Sequence, residues 1–155
     1  MMNKEYFMRE ALKEAEKAYN IDEVPVGAVI VRAGEIVGRG FNTRESDKDP
    51  TAHAEMNAIR EASKTLGGWR LHQCDMYVTV EPCPMCAGAI MLSRIKNLYI
   101  GTEDLKGGAC GSVINIPQNE AFNHFVNIEY GILQEECRNI MQKFFEKLRE
   151  MRKSK

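Results

Sequence analysis

Two short stretches constrain this chain more than anything else in it: Thr51-Ala52-His53-Ala54-Glu55 and, about thirty residues later, Glu81-Pro82-Cys83-Pro84-Met85-Cys86. Cys83 and Cys86 stand where an apolar, strand-like run gives way to a helix-like one. Cysteines at that spacing direct two thiolates into one small volume, as a metal site requires. His53 supplies a third ligand. A tetrahedral zinc site with three protein ligands keeps its fourth position for water, which is the arrangement of catalytic rather than structural zinc. Glu55, two residues beyond the histidine, is a carboxylate placed to handle protons without ligating the metal. The cysteines fall at the start of one predicted helix and His53 at the start of another. There, free N–H groups and the positive end of the helix dipole stabilise thiolates. Side chains lean toward a helix N-terminus, so His53 and Glu55 can both reach a ligand lying off the end of their helix. The pattern predicts a metal held end-on by two helices.

Two other readings of the same residues are weaker. A structural zinc knob would need a fourth protein ligand, and His72, Cys74, Cys110 and His124 stand at none of the usual spacings from the pair. A redox Cys-x-x-Cys pair would leave His53-Ala54-Glu55 without a role. The chain has five cysteines, an odd number, and Met1-Met2-Asn3-Lys4-Glu5 leads into a charged amphipathic stretch with no apolar signal core. Reduced thiols or metal ligands are therefore expected rather than a disulfide framework, with Cys74, Cys110 and Cys137 as small, partly buried hydrophobes. No run is long enough to span a bilayer, so a cytoplasmic protein without membrane association is expected.

At 155 residues, 44% hydrophobic and 28% charged, the chain reads as one globular domain, 1–155, and neither disorder nor a fibrous repeat is indicated. Its net charge of -1 is unevenly spread. From Lys143 to Lys155 there are six basic and two acidic residues, a local +4 against -5 for the rest. A phosphate-contacting patch has this pattern, and so has a solvated basic helix end.

Taken in order, residues 4 to 19 place Phe7, Met8, Ala11, Leu12, Ala15 and Ala18 at helical spacing. Val26 to Arg32 and Ile36 to Gly40 read as a hairpin turning at Ala33-Gly34-Glu35, and residues 41 to 50 as a polar loop. The next helix begins at Thr51 or Ala52 and ends near Gly67-Gly68. Met76 to Val80 is a strand. Pro84 suits a first helical turn and the helix continues to Ser93. Leu98 to Gly101 is a strand, and Glu103 to Pro117 a long glycine-bearing loop of the kind that is usually functional. A short helical turn is expected over 118–125, a strand over Val126 to Tyr130, and a closing helix from Leu133 to Met151. Strands alternating with helices argue for an α/β sandwich with a mixed sheet.

His53-Ala54-Glu55 followed by Pro82-Cys83-Pro84-Met85-Cys86 resembles the signature of the zinc nucleobase deaminases. Val24-Pro25-Val26-Gly27-Ala28, Gly40-Phe41-Asn42, Asp104 with Lys106, Gly111-Ser112 and Phe144-Phe145-Glu146-Lys147-Leu148-Arg149 are similar to the bacterial tRNA-specific adenosine deaminases of the cytidine/deoxycytidylate deaminase superfamily. This likeness covers nearly the whole chain. It implies a cytidine deaminase-like three-layer α/β/α sandwich with a five-stranded mixed sheet and the metal helices side by side on one face. It implies one zinc per subunit on His53, Cys83 and Cys86, with Glu55 shuttling protons in hydrolytic deamination at C6 of adenine. The substrate it implies is the wobble adenosine of a tRNA anticodon stem-loop, converted to inosine by a homodimer.

The same resemblance puts substrate contacts at Asn42, Ala54, Asp104, Lys106, Phe144, Phe145 and Arg149. Asn42, an amide at a strand end, suits reading of a base edge, the weaker alternative being a turn before Thr43. Phe144 and Phe145 are adjacent and cannot both face a core, so at least one is available to a partner. Aromatics beside Lys147 and Arg149 would stack on splayed nucleotides while the cations hold phosphates. Glu146 and Glu150 interrupt that basic run. The alternatives are a free-base or nucleoside deaminase of the guanine deaminase type, and a catalytically idle, zinc-stabilised RNA-binding module.

Overall fold

The computed structural model describes residues 3–154; Met1, Met2 and Lys155, the last of them part of the basic tail, lie outside the described residues. The apolar runs become strands β1 (Gly27–Arg32), β2 (Glu35–Phe41), β3 (Cys74–Val80), β4 (Asn97–Thr102) and β5 (Asn127–Tyr130). The helices are α1 (Lys4–Asn20), α2 (Ala54–Leu66), α3 (Pro84–Leu92) and α4 (Gln134–Lys153). The strands form one sheet in the order β2-β1-β3-β4-β5. β1 pairs antiparallel with β2 and β3, and the β3–β4 and β4–β5 pairs are parallel. Ala33 and Gly34, with φ of 51° and 80°, make the two-residue hairpin turn whose hand matches strand twist. Parallel neighbours need a crossover, and α3 supplies it between β3 and β4.

Alternation along β1 sends Ala28 and Ile30 to one face of the sheet and Val29 and Val31 to the other. On the first face, Ala54, Ala58 and Ala62 of α2 and Ala87 and Ile90 of α3 pack on Met76, Val78, Leu98 and Ile100. On the second, Phe7, Met8 and Ala11 of α1 and Cys137 of α4 pack on Tyr77 and Tyr99, whose rings stack at 4.6 Å. This is the expected α/β/α sandwich with both metal helices on one face. α2 lies unusually close to its strand. A Cβ at Gly40 would stand 2.2 Å from the Ala54 carbonyl oxygen, so only glycine lets the first turn of α2 rest there.

Two expectations need correction. α2 begins at Ala54 rather than Thr51 or Ala52, because Asp49 holds the preceding turn: its Oδ1 accepts the Thr51 N–H at 2.8 Å and its carbonyl the Ala52 N–H at 3.1 Å. The short helical turn expected over 118–125 is instead a run of isolated turns and bends. Side chains there take backbone donors that a helix would use, the Gln118 N–H going to Asn115 Oδ1 and the Ala121 N–H to Asn119 Oδ1. Other boundaries differ by one or two residues. Among the described residues, no helix is long and apolar enough to cross a membrane.

Candidate metal centre and substrate cleft

The chain enters α2 through His53 and α3 through Cys83, and each is the N-cap of its helix without using its side chain to cap it. Those side chains turn toward each other instead. His53 Nδ1 lies 3.6 Å from both Cys83 Sγ and Cys86 Sγ, and the ligand atoms of the three residues all lie within 4.8 Å of one another. A tetrahedral zinc with Zn–S of about 2.3 Å and Zn–N of about 2.0 Å spaces neighbouring ligands by about 3.5 Å, so the donors present fit that ion. Among the described residues no fourth His, Cys, Asp or Glu joins the group, and all five cysteines are free. The approach is end-on at both helices. His53 has extended dihedrals (φ -79°, ψ 156°), so it and Glu55 are not opposed across a helical turn.

Glu55 is buried beside this group, 4% exposed. Burial raises its carboxyl to about 7, against the opposing pull of its own backbone N–H. The Cys86 thiol donates to Cys83 and, together with backbone N–H groups of Cys86 and Met85 in the first turn of α3, lowers Cys83 to about 5 against its burial. Cys86 moves strongly upward because its proton is the one donated, and burial and the Glu55 charge add to that. Cys83, Glu55 and His53 border a cavity of about 220 Å³ that Val24, Asn42, Arg44, Ala54 and Asp104 help to close. That is below the size that encloses a drug-like ligand and suits a single base.

Asn42, Ala54 and Asp104 line the same cavity as His53, Glu55 and Cys83. The Asn42 amide also makes the turn that was its alternative reading: Nδ2 donates to the Val24 carbonyl at 3.2 Å and Oδ1 accepts the Arg44 N–H at 3.1 Å. One amide hydrogen and one lone pair remain. Asp104 Oδ1 accepts the N–H groups of Lys106 and Gly107 at 3.0 and 3.1 Å. Beyond Val80, Asp104 and Met141, which border both, the cavity opens into a groove of about 890 Å³ along α4, with Lys106, Arg138, Gln142, Phe145 and Arg149 on it.

The aromatic pair separates. Phe145 is 42% exposed on the groove, whereas Phe144 is 4% exposed and packs edge-on against Tyr19 of α1 at 6.2 Å. The substrate contact expected at Phe144 is thus corrected: it lies on the buried stripe of α4 with Cys137. Lys147 also turns to α1, its Nζ 2.7 Å from Asp22 and over the Tyr19 ring, not toward the groove. Sequence reasoning missed Arg138 and Gln142. The spacing 138, 142, 145, 149 puts both on one helical face with Phe145 and Arg149, and that periodicity was available to find them. It also gave Glu81 no role.

A water to be made nucleophilic and a buried carboxylate to serve it, at two helix ends on this sandwich, are the requirements of the zinc-dependent nucleobase deaminases. Residues 1–102 match the family model described as the cytidine and deoxycytidylate deaminase zinc-binding region. Over 154 residues, 99% of this chain and 96% of the relative, it is 49% identical to a tRNA-specific adenosine deaminase of Bacillus subtilis (strain 168). The chain belongs to the cytidine and deoxycytidylate deaminase family, among its tRNA-specific adenosine deaminases. It superposes with a TM-score of 0.84 and 43% identity on a structure from studies of A-to-I editing by tRNA:A34 deaminases at the wobble position of transfer RNA, covering 87% of this chain and 98% of that one. A guanine deaminase from Bacillus subtilis gives a TM-score of 0.63 and 44% identity over 66% of each chain.

Proposed function

We propose that this protein, a single deaminase domain over residues 1–155, converts the wobble adenosine of a tRNA anticodon loop to inosine, releasing ammonia. The carrying observation is the stepped cleft: a base-sized cavity holding Glu55 and the candidate ligands opens onto a larger groove bearing Lys106, Arg138, Phe145 and Arg149. An enzyme for free bases has no use for such a groove. A nucleotide turned out of an unpaired loop needs both parts, with its base inside and its neighbours' phosphates and rings outside.

His53, Cys83 and Cys86 would hold one zinc ion per subunit, which when bound supplies Lewis acidity and makes a water nucleophilic near neutral pH. Glu55 takes a proton from the attacking water as its oxygen bonds to C6. It returns that proton to N1, then takes the proton of the hydroxyl now on C6 and passes it to the exocyclic nitrogen, so that the C6–N bond breaks to release ammonia and leaves the C6 carbonyl of inosine. A carboxyl held at about 7 is suited to transfers in both directions. Asn42 presents its remaining amide hydrogen and lone pair to the base edge, and Ala54, the first residue of α2, adds an N–H with no helical acceptor. Asp104 and Lys106 meet the flanking backbone, Phe145 stacks on a neighbouring base, and Arg149 and Arg138 hold phosphates.

α3 (PMCAGAIML) has no charged residue, and its outward side chains include Pro84, Met85, Ala89 and Leu92, the last 61% exposed. An apolar strip beside the site supports its burial against a second copy in a homodimer. The reading places the protein in the cytoplasm with its tRNA.

The test is to offer the zinc-loaded protein an anticodon stem-loop, free adenosine and free guanine. Inosine in the stem-loop alone is expected. Xanthine from guanine would overturn the reading in favour of a free-base enzyme. Salt-sensitive binding of the stem-loop without inosine would reduce the protein to an RNA-binding module.

A further inference from the structure

β3 runs into a carboxylate that the reaction above leaves unused. Glu81 is 4% exposed, yet among the described residues no lysine or arginine forms an ion pair with it; its oxygens accept donors from the 103–112 loop, and the Tyr130 hydroxyl of β5 lies against it as well. Oε1 accepts the Asp104 N–H at 3.0 Å and the Ser112 hydroxyl, and Oε2 accepts the N–H groups of Cys110 and Ser112 at 3.0 and 3.1 Å. Hydrogen bonds to an ionised acceptor are about twice as strong as neutral ones, and a carboxylate buried without them would be costly. The loop is shaped around this group. A Cβ at Gly108 would stand 2.3 Å from Glu81 Cδ and 2.4 Å from Oε2, so a side chain there would displace the carboxylate. Two backbone bonds complete the seam, Glu81 N–H to the Thr102 carbonyl and Ala109 N–H to the Pro82 carbonyl, both 2.9 Å.

Glu81 stands two residues before Cys83, while the residue it holds, Asp104, borders the base cavity and orders Lys106 and Gly107. We propose that Glu81 is a positioning residue: it fixes the register of the 103–112 loop against the β3–α3 junction, and so sets the span between the reacting base and the wall that receives the flanking nucleotides. The identity of that substrate rests on the function proposed above. Glu81→Gln keeps the shape but offers one acceptor oxygen where the carboxylate has two. Its NH₂ must face either the Asp104 N–H or the N–H groups of Cys110 and Ser112, so half of the seam opens.

The experiment compares wild type, Glu81→Gln and Ser112→Ala, each zinc-loaded, by metal content, amide exchange and steady-state kinetics on an anticodon stem-loop. For Glu81→Gln, zinc stays at wild-type stoichiometry and the amides on the side that loses its acceptor, either Asp104 or the Cys110 and Ser112 pair, exchange faster. KM rises about tenfold with kcat within about threefold. Ser112→Ala, which removes only the hydroxyl, shifts KM in the same direction by about threefold and decides alone if Glu81→Gln does not fold. Unchanged exchange and KM would overturn the proposal. So would a fall in kcat at constant KM, since a generally weakened fold lowers the active fraction rather than affinity. A wild type that makes no inosine would remove the functional reading instead, and amide exchange would still decide whether Glu81 tethers the loop.

Discussion

At its inner end the cleft is a cavity of about 220 Å³, where Cys83, His53 and Ala54 belong to the starts of two helices. At its outer end it is a groove of about 890 Å³, where long side chains stand on one stripe of α4. The inner groups are fixed by backbone: two N-cap positions, a first-turn carboxylate and an amide tied at both ends. The outer groups on α4 are fixed by little besides helix spacing, and Arg138 and Arg149 face solvent, as does Lys106 on its loop. The difference teaches that damage inside should be close to all-or-none, whereas damage outside should be graded and dependent on salt.

The largest effect should come from Cys83→Ala. Metal analysis is expected to find zinc lost, activity absent and the melting temperature lowered, because the ion joins two helix starts. Glu55→Ala comes next, with kcat reduced about a thousandfold while zinc stays bound. An active mutant, or one without metal, would break the account of the inner end. The aromatic pair sharpens the contrast between ends. Phe144→Ala should cost about 3–5 kcal/mol of stability, read by denaturant unfolding, with little effect on KM in protein that remains folded. Phe145→Ala should leave stability nearly unchanged and raise KM for the stem-loop about tenfold. If the two mutants exchanged phenotypes, the placing of α4 would be wrong. The smallest effect is that of Arg149→Gln, which should flatten the slope of log affinity against log salt by about 0.7, the share of one single-strand phosphate contact.

The resemblance itself was legible from short motifs, and the strands from apolar runs, because both signals are local. Errors arose where local signals compete. Asp49 keeps Thr51 and Ala52 out of α2, and Asn115 and Asn119 hold backbone donors that a helix over 118–125 would need. Adjacency proved that Phe144 and Phe145 could not share a face, yet could not say which was inward. That depended on α1 lying alongside and offering Tyr19 to Phe144.

The sequence by itself pointed to His53, Cys83 and Cys86 as a candidate ligand trio with Glu55 beside it, and determined the class of fold, since metal chemistry admits few donor types and a strand or helix declares its period within a few residues. Tertiary structure alone decided which faces of α4 are buried and open, that Lys147 pairs with Asp22, and that Glu81 is met by donors 23 to 31 residues further along the chain. Those partners are distant in sequence, and only the stacking of the layers brings them within hydrogen-bond reach.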